Sequence, residues 1–234
     1  MIDFHSHILP QIDDGSRSIE ESLAILHMLK EQGVATVVAT PHFYPSEDHP
    51  DAFLARRANA WERLKEHLTS DMPSIRLGAE VAYYEGVSRS DFLDDLCIEG
   101  TRILLIEMPF EQWSSRIVHE LIDLQEQRQI TVVLAHFERY LHLLSDSTQE
   151  LLLRQGFLVQ CNAGFFLRWQ TRGKAMRMLR NGQIHLLGSD SHGSKYRPPR
   201  MGEAMALIRR KGGDTPLQEI EARAELLLRQ EILR

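Results

Sequence analysis

Seven short apolar runs recur along this chain, each followed by a longer segment with helical spacing, and no other feature restricts the fold as much. The runs are Ile2–His7, Thr36–Thr40, Ile75–Ala79, Ile103–Met108, Thr131–Ala135, Leu158–Cys161 and His185–Ser189. Strands separated by helices pair in parallel, because each helix must cross back over the sheet to bury its apolar stripe. Several runs are almost wholly apolar, as strands covered on both faces should be. Seven such units in 234 residues predict a distorted TIM-like (β/α)7 barrel, with an open doubly wound sheet as the alternative. No repeat, low-complexity tract or Pro/Gly/Ser-rich linker interrupts the pattern, so residues 1–234 read as one domain.

Ser18 followed by Glu21 forms a capping-box pattern that opens a helix over Ile19–Gln32, and Gly33 closes it. Similar periodicity predicts helices over Asp51–Thr69, Ser115–Gln129, Ser147–Gln155, Thr171–Asn181, Arg200–Lys211 and Pro216–Leu233. The 27 basic and 33 acidic residues leave a net charge of −6 with neither sign gathered into a run, which argues against a broad nucleic-acid-binding face. Met1–His5 runs straight into a strand without a basic segment and apolar stretch before it, and no apolar run reaches the roughly 20 residues of a membrane span. A cytoplasmic protein without membrane insertion is the expectation. Two cysteines, Cys97 and Cys161, are too few for a disulfide framework or a Cys-rich zinc site.

The chemistry sits at the ends of the runs. In Asp3-Phe4-His5-Ser6-His7 the alternation of a strand sends His5 and His7 to one side. The next runs lead into Thr40-Pro41-His42, Gly78-Ala79-Glu80, Ile106-Glu107-Met108, Ala135-His136 and Ser189-Asp190-Ser191-His192. In a parallel barrel all C-terminal strand ends lie on one face, so these imidazoles and carboxylates would converge. Taken singly, each reads as a solvated loop residue or a helix cap. Taken together, they would suffer uncompensated desolvation without a cation. Imidazole and carboxylate donors without thiolate fit Zn²⁺, Mn²⁺ or Fe²⁺, and there are more of them than one tetrahedral ion needs. Several metal ions close together suit hydrolysis of a phosphoester.

The stretches Asp3–Pro10, Ile12–Gly15, Thr40–His42, Gly78–Glu80, Leu105–Glu107, Ala135–Tyr140, Gln160–Gly164 and Gly188–His192 resemble the PHP (polymerase and histidinol phosphatase) family. Within it they resemble the branch of bacterial manganese-dependent protein-tyrosine phosphatases linked to capsular and exopolysaccharide synthesis. The resemblance covers essentially the whole chain. It implies three divalent transition-metal ions, manganese foremost, with iron or zinc as alternatives. By the same resemblance His5, His7, Glu80 and Asp190 would hold one ion, and Glu80 would bridge to a second bound by Glu107 and His136. Asp14, His42 and His192 would hold a third. Arg139 and Arg197 fall where the branch grips phosphate, and Asp14 is also available to protonate a leaving group. The implied substrate is the phosphotyrosine-rich tail of a bacterial tyrosine kinase that controls polysaccharide synthesis. A phosphatase for histidinol phosphate or a related metabolite, and a metal-stabilised scaffold that binds the kinase without turnover, are the alternatives. The chain departs from the branch at Phe137, Gln11 and Gly193, none of which is an implied ligand.

A cysteine-based tyrosine phosphatase needs five residues between its Cys and Arg, and neither Cys97 with Arg102 nor Cys161 with Arg168 has that spacing. Both thiols read as buried small apolar groups. His27, His49, His67, His119, His142 and His185 read as ordinary polar residues, with His49 the one that could lie near the site. The loop Phe43–Asp48 could cover it, and Arg168, Arg172 and Lys174 form a small basic patch suited either to an acidic peptide or to solvent.

Overall fold

The computed structural model describes residues 1–229. Its strands are β1 (Ile2–Ser6), β2 (Thr36–Ala39), β3 (His42–Phe43), β4 (Ser74–Leu77), β5 (Glu80–Ala82), β6 (Ile103–Glu107), β7 (Thr131–Leu134), β8 (Leu158–Asn162) and β9 (Leu186–Gly188). Every pairing is parallel, in the orders β1-β2-β4 and β3-β5-β6-β7-β8-β9. There are nine strands and not the seven expected, because the runs expected to end at Thr40 and Ala79 are each followed, past a break, by a further short strand. β3 follows β2 across a break at Thr40-Pro41, where proline has no N–H to donate to a ladder. β5 likewise follows β4 across a break at Gly78-Ala79. The breaks stay side by side, since the amide of Gly78 donates to Ala39 at 2.8 Å and that of Glu80 to Pro41 at 3.0 Å. Glu80 and His42 therefore open short strands of their own instead of trailing longer ones.

The sheet curls until its ends meet. Ser6 bridges Ser191 in parallel, and the amides of His7 and Asp190 donate to Ser191 and His5 at 3.0 and 2.8 Å. Seven runs in chain order with the last rejoined to the first make the expected barrel, in place of the open sheet. Val37, Ala39, Leu104, Ile106, Val132 and Leu134 join the large core shared with the helices. The alternate strand positions Val38, Ile103, Leu105 and Val133 form a second core with Ile2, Phe4 and, from the last helix, Ala224, Leu227 and Leu228.

The helices are α1 (Ile19–Glu31), α2 (Pro50–Lys65), α3 (Leu93–Leu96), α4 (Ser115–Glu126), α5 (Asp146–Arg154), α6 (Ala163–Leu167), α7 (Trp169–Arg180), α8 (Met201–Gly212) and α9 (Thr215–Arg229). Two short ones, α3 and α6, were not expected, being too brief to show a period. The helix expected over Asp51–Thr69 stops at Lys65 and that over Ser115–Gln129 at Glu126, while the one expected from Thr171 starts at Trp169. Residues 230–233 of the last expected helix lie outside the described residues. The Ser18 hydroxyl accepts the Glu21 amide at 3.2 Å as a cap should, but the Glu21 carboxylate takes the Arg17 amide, so the capping box is only half formed. Among the described residues, no helix is long and apolar enough to cross a membrane.

Candidate metal centre

His5 in β1 and His7 just beyond it are fully buried, and their Nε2 atoms lie 3.1 Å apart. β5 pairs in register with β3 on one side and β6 on the other, matching Glu80 to His42 and to Leu105. Glu80 thus shares a face with Glu107, two residues beyond Leu105 on β6. Its Oε2 lies 3.1 Å from His5 Nε2, 3.3 Å from His7 Nε2 and 3.1 Å from His42 Nδ1. Its other oxygen lies 2.9 Å from His136 Nε2, which is 3.2 Å from Glu107. Asp190 Oδ1 lies 3.6 Å from His7 Nε2 and 3.5 Å from His192 Nδ1. Asp14 Oδ1 completes the rim, 3.5 Å from His42 and 3.3 Å from His192. All nine residues singled out in the sequence as candidate ligands are thus brought together.

Eight of them fall into overlapping groups whose donor atoms lie within 4.8 Å of one another: His7, Asp14, His42 and His192; His5, His7 and Asp190; and His42, Glu80 and Glu107, with His136 joined through its contacts to Glu80 and Glu107. Buried side-chain atoms without a hydrogen-bond partner concentrate here, at His42 Nδ1, Glu80 Oε2 and His192 Nε2, with Asp3 Oδ2 the other such atom among the described residues. Orphaned lone pairs inside a protein are costly, and a divalent cation is the partner that would satisfy several at once. Burial and the neighbouring His7 pull the His192 imidazole down to about 4, whereas against burial Glu107 and Glu80 raise His136 to about 9 and Asp13 raises His7, so that both hold protons that a bound cation would displace. The donor set therefore fits transition-metal ions.

Around this cluster lies a layer of orienting groups that sequence reasoning missed. Asp13 takes His7 Nδ1 at 2.7 Å and the His42 amide at 3.0 Å. Burial would raise its carboxyl, but His7 and the amides of His42 and Gly15 outweigh burial and hold it at about 2. Gln160 Oε1 accepts the His136 amide at 2.7 Å and sits 3.1 Å from His5 Nδ1, which fixes the imidazole with Nε2 toward the cluster. Asn162 donates to Asp190 Oδ2 at 2.7 Å, and the Tyr140 hydroxyl lies 3.4 Å from His136 Nδ1. The available signal was polarity out of place: Gln160 and Asn162 alternate along an otherwise apolar, buried strand.

Two glycines mark where backbone and ligands meet. A Cβ at Gly188 would stand 2.6 Å from both His5 Cβ and Gln160 Nε2, and one at Gly15 would stand 2.4 Å from the His7 carbonyl oxygen. His136, Asp190 and Arg197 adopt positive φ, at 31°, 50° and 51°, three of five non-glycine residues to do so among the described residues, a region non-glycine residues enter at a cost.

The two arginines meet at one carboxylate. Arg197 Nη2 lies 2.7 Å from Asp190 Oδ1, and Arg139 donates to Asp190 Oδ2. Each guanidinium is about one-third exposed, at 36% and 33%, so solvent and a ligand can reach it. Of the loop Phe43–Asp48, Tyr44 stacks on His42 with ring centroids 5.1 Å apart, and Tyr44, Glu47 and Asp48 line a cavity of about 500 Å³ with Asp14 and His42. His49 instead caps α2 in an exposed position. His185, expected to be an ordinary polar residue, is partly buried and accepts the Val159 amide at 2.9 Å. Both thiols are buried, and burial raises them, Cys97 to about 12 and Cys161 well above its usual range.

Residues 1–228 match the family described as capsular polysaccharide synthesis, CpsB/CapC. The chain is 29% identical over 240 residues to tyrosine-protein phosphatase YwqE of Bacillus subtilis (strain 168), covering 100% of this chain and 93% of that protein. It is 30% identical over 236 residues to tyrosine-protein phosphatase CpsB of Streptococcus pneumoniae, covering 94% of each. Among solved structures, one from work on YwqE of Bacillus subtilis and CpsB of Streptococcus pneumoniae, termed unique metal-dependent tyrosine phosphatases, superposes with a TM-score of 0.83 at 27% identity, covering 100% of this chain and 96% of that one. Histidinol phosphate phosphatase from Lactococcus lactis, at a TM-score of 0.56 and 13% identity over 90% of this chain and 93% of that one, shares the fold. By sequence and by structure, then, the chain belongs to the CpsB/CapC family of capsular polysaccharide synthesis.

Proposed function

We propose that this chain, working as one domain, is a metal-dependent protein-tyrosine phosphatase that removes phosphate from the tail of a bacterial tyrosine kinase regulating capsular or exopolysaccharide synthesis. The observation that carries the reading is a buried histidine–carboxylate cluster with two partly exposed guanidinia at its edge, in a chain similar over its whole length to tyrosine-protein phosphatases. His5, His7, Glu80 and Asp190 would hold one ion, Glu80, Glu107 and His136 a second, and Asp14, His42 and His192 a third. Manganese is the metal implied by the family, and iron or zinc would fit the same donors. Such ions supply Lewis-acid charge for transfer of a phosphoryl group to water.

The protein's own groups do the rest. Arg139 and Arg197 turn from Asp190 to the phosphoryl oxygens and neutralise charge as the group becomes planar. Gln160, Asp13 and Asn162 hold His5, His7 and Asp190 in place. The phenolate of phosphotyrosine, with a pKa of ~10, is a good leaving group and makes little demand for an acid. Where the leaving group needs a proton, Asp14, 68% exposed at the rim, would relay it from solvent. A thiolate route is set aside, because neither buried cysteine ionises near neutral pH.

The test compares purified enzyme with added Mn²⁺ on a phosphotyrosine peptide and on histidinol phosphate. The expected result is a kcat/KM at least tenfold higher on the peptide. The reverse preference would make the protein a small-molecule phosphatase, and phosphotyrosine binding without turnover would make it a scaffold.

A further inference from the structure

On the Arg139 and Arg197 side of Asp190 lies a second cavity, of about 540 Å³, whose lining includes Asp190 but none of the other eight candidate ligands. Its walls carry Arg168 and Arg200 besides those two arginines, together with His142. Its carboxylates are already engaged: Glu138 accepts the Asn162 amide, and Asp190 is taken by Asn162 and the two arginines. Arg200 is held by Glu203 through two contacts of 2.7 Å. Arg168 differs, since among the described residues its guanidinium has no ion pair or hydrogen bond, although it borders a cavity it could fill with charge. Within the basic patch noted in the sequence, the guanidinium of Arg172 is spent on the carbonyls of Phe166 and Leu167 and Lys174 does not line the cavity, so Arg168 is the member left for a ligand there. Two exposed aromatic residues, Trp169 at 79% and Tyr196 at 76%, are next in sequence to the lining arginines Arg168 and Arg197.

We infer that this cavity is a second anion subsite, in which Arg168 receives an acidic group of the substrate peptide, carboxylate or phosphate, a few residues from the phosphotyrosine. The inference rests on the phosphotyrosine reading and extends it from the scissile group to its sequence context. Charge complementarity selects the occupant. Four guanidinium groups against the two engaged carboxylates Glu138 and Asp190 in one concave wall favour an anion. Small aryl phosphates would leave the subsite empty, whereas a peptide would reach it.

The experiment measures kcat/KM of the Mn²⁺-loaded enzyme on three phosphotyrosine peptides of equal length, with flanking residues that are neutral, glutamate or phosphoserine. Wild type is expected to prefer both acidic peptides to the neutral one by about tenfold, mainly through KM, which corresponds to one charge-assisted contact. In Arg168→Ala that preference should collapse to within about twofold. In Arg168→Glu it should invert, so that a lysine-flanked peptide becomes the best substrate. Preference for only one acidic peptide identifies whether carboxylate or phosphate is the ligand. Equal kcat/KM on acidic and neutral peptides in wild type, or an unchanged preference in both variants, overturns the subsite while leaving phosphotyrosine hydrolysis intact. A wild-type enzyme inactive on every phosphotyrosine peptide but active on histidinol phosphate overturns both readings.

Discussion

Arg197 Nη2 stands 2.7 Å from Asp190 Oδ1, which ties a guanidinium at the mouth of the site to a carboxylate in its wall. Both residues adopt positive φ, at 51° for Arg197 and 50° for Asp190, so the backbone holds each in a sparsely populated conformation to bring them together. Arg139 takes the other oxygen of the same carboxylate. Two planar forks thus meet at one carboxylate.

Arg139→Lys and Arg197→Lys preserve charge but lose the two-point fork, so each should lower kcat/KM on a phosphotyrosine peptide by about ten- to a hundredfold, the worth of one or two charge-assisted hydrogen bonds. Both kcat and KM should worsen, because the grip tightens as the phosphoryl group becomes planar. Metal content should match wild type, since a guanidinium is no ligand. Wild-type kcat/KM in the Arg139→Ala, Arg197→Ala double variant would remove both residues from phosphate binding.

Removing metal should remove activity. A strong chelator is expected to abolish hydrolysis of p-nitrophenyl phosphate, with Mn²⁺ restoring it more fully than Mg²⁺ because the imidazole-rich donor set disfavours a hard ion. His136→Ala deletes the imidazole 2.9 Å from Glu80 and 3.2 Å from Glu107, and it should lose bound metal and at least about a hundredfold in kcat. Elemental analysis of the purified variant decides the point. A full metal complement with normal turnover would take His136 out of the site.

Cys97 and Cys161 should be dispensable for chemistry, being buried thiols whose ionisation burial suppresses. The Cys97→Ala, Cys161→Ala variant is expected to keep kcat within about twofold while losing ~1–2 kcal/mol of stability to the small cavities left behind. Loss of turnover in a variant that remains folded by circular dichroism would reopen the thiolate route.

His185 should make stability fall as the solution is acidified. Burial, with Arg223 adding to it, lowers its imidazole from the ordinary 6.5 to about 4, and the neutral ring accepts the Val159 amide at 2.9 Å. Between these two values the unfolded chain binds more protons than the folded one, so stability is fully present above pH 6.5 and drains away as pH falls toward 4. In His185→Asn, whose side-chain oxygen can accept the same amide, the urea midpoint should drop less between pH 7 and pH 5 than in wild type. Identical slopes would show that His185 does not titrate with folding.

Much of this molecule is legible locally. The alternation of apolar runs with helical spacing is a property of neighbouring residues, so it led directly to a parallel barrel and to most element positions. The same holds for the ligand types: His5, His7, His42, Glu107, His136 and Asp190 stand at or just past strand ends, and the barrel topology puts those ends on one face. What the sequence could not decide depends on which distant residues come opposite one another. Glu80 becomes the shared carboxylate because β5 pairs in register with β3 and β6 at once, and the break at Pro41 that creates β3 is held by Ser6, Asp13 and the matching break before β5. The Asp13, Gln160 and Asn162 contacts, the meeting of Arg139 and Arg197 on Asp190, and the closure of Ser6 on Ser191 are likewise set by register and packing. Hydrophobic period is encoded residue by residue, whereas distances of 3 Å between groups up to some 185 positions apart exist only after the barrel has closed.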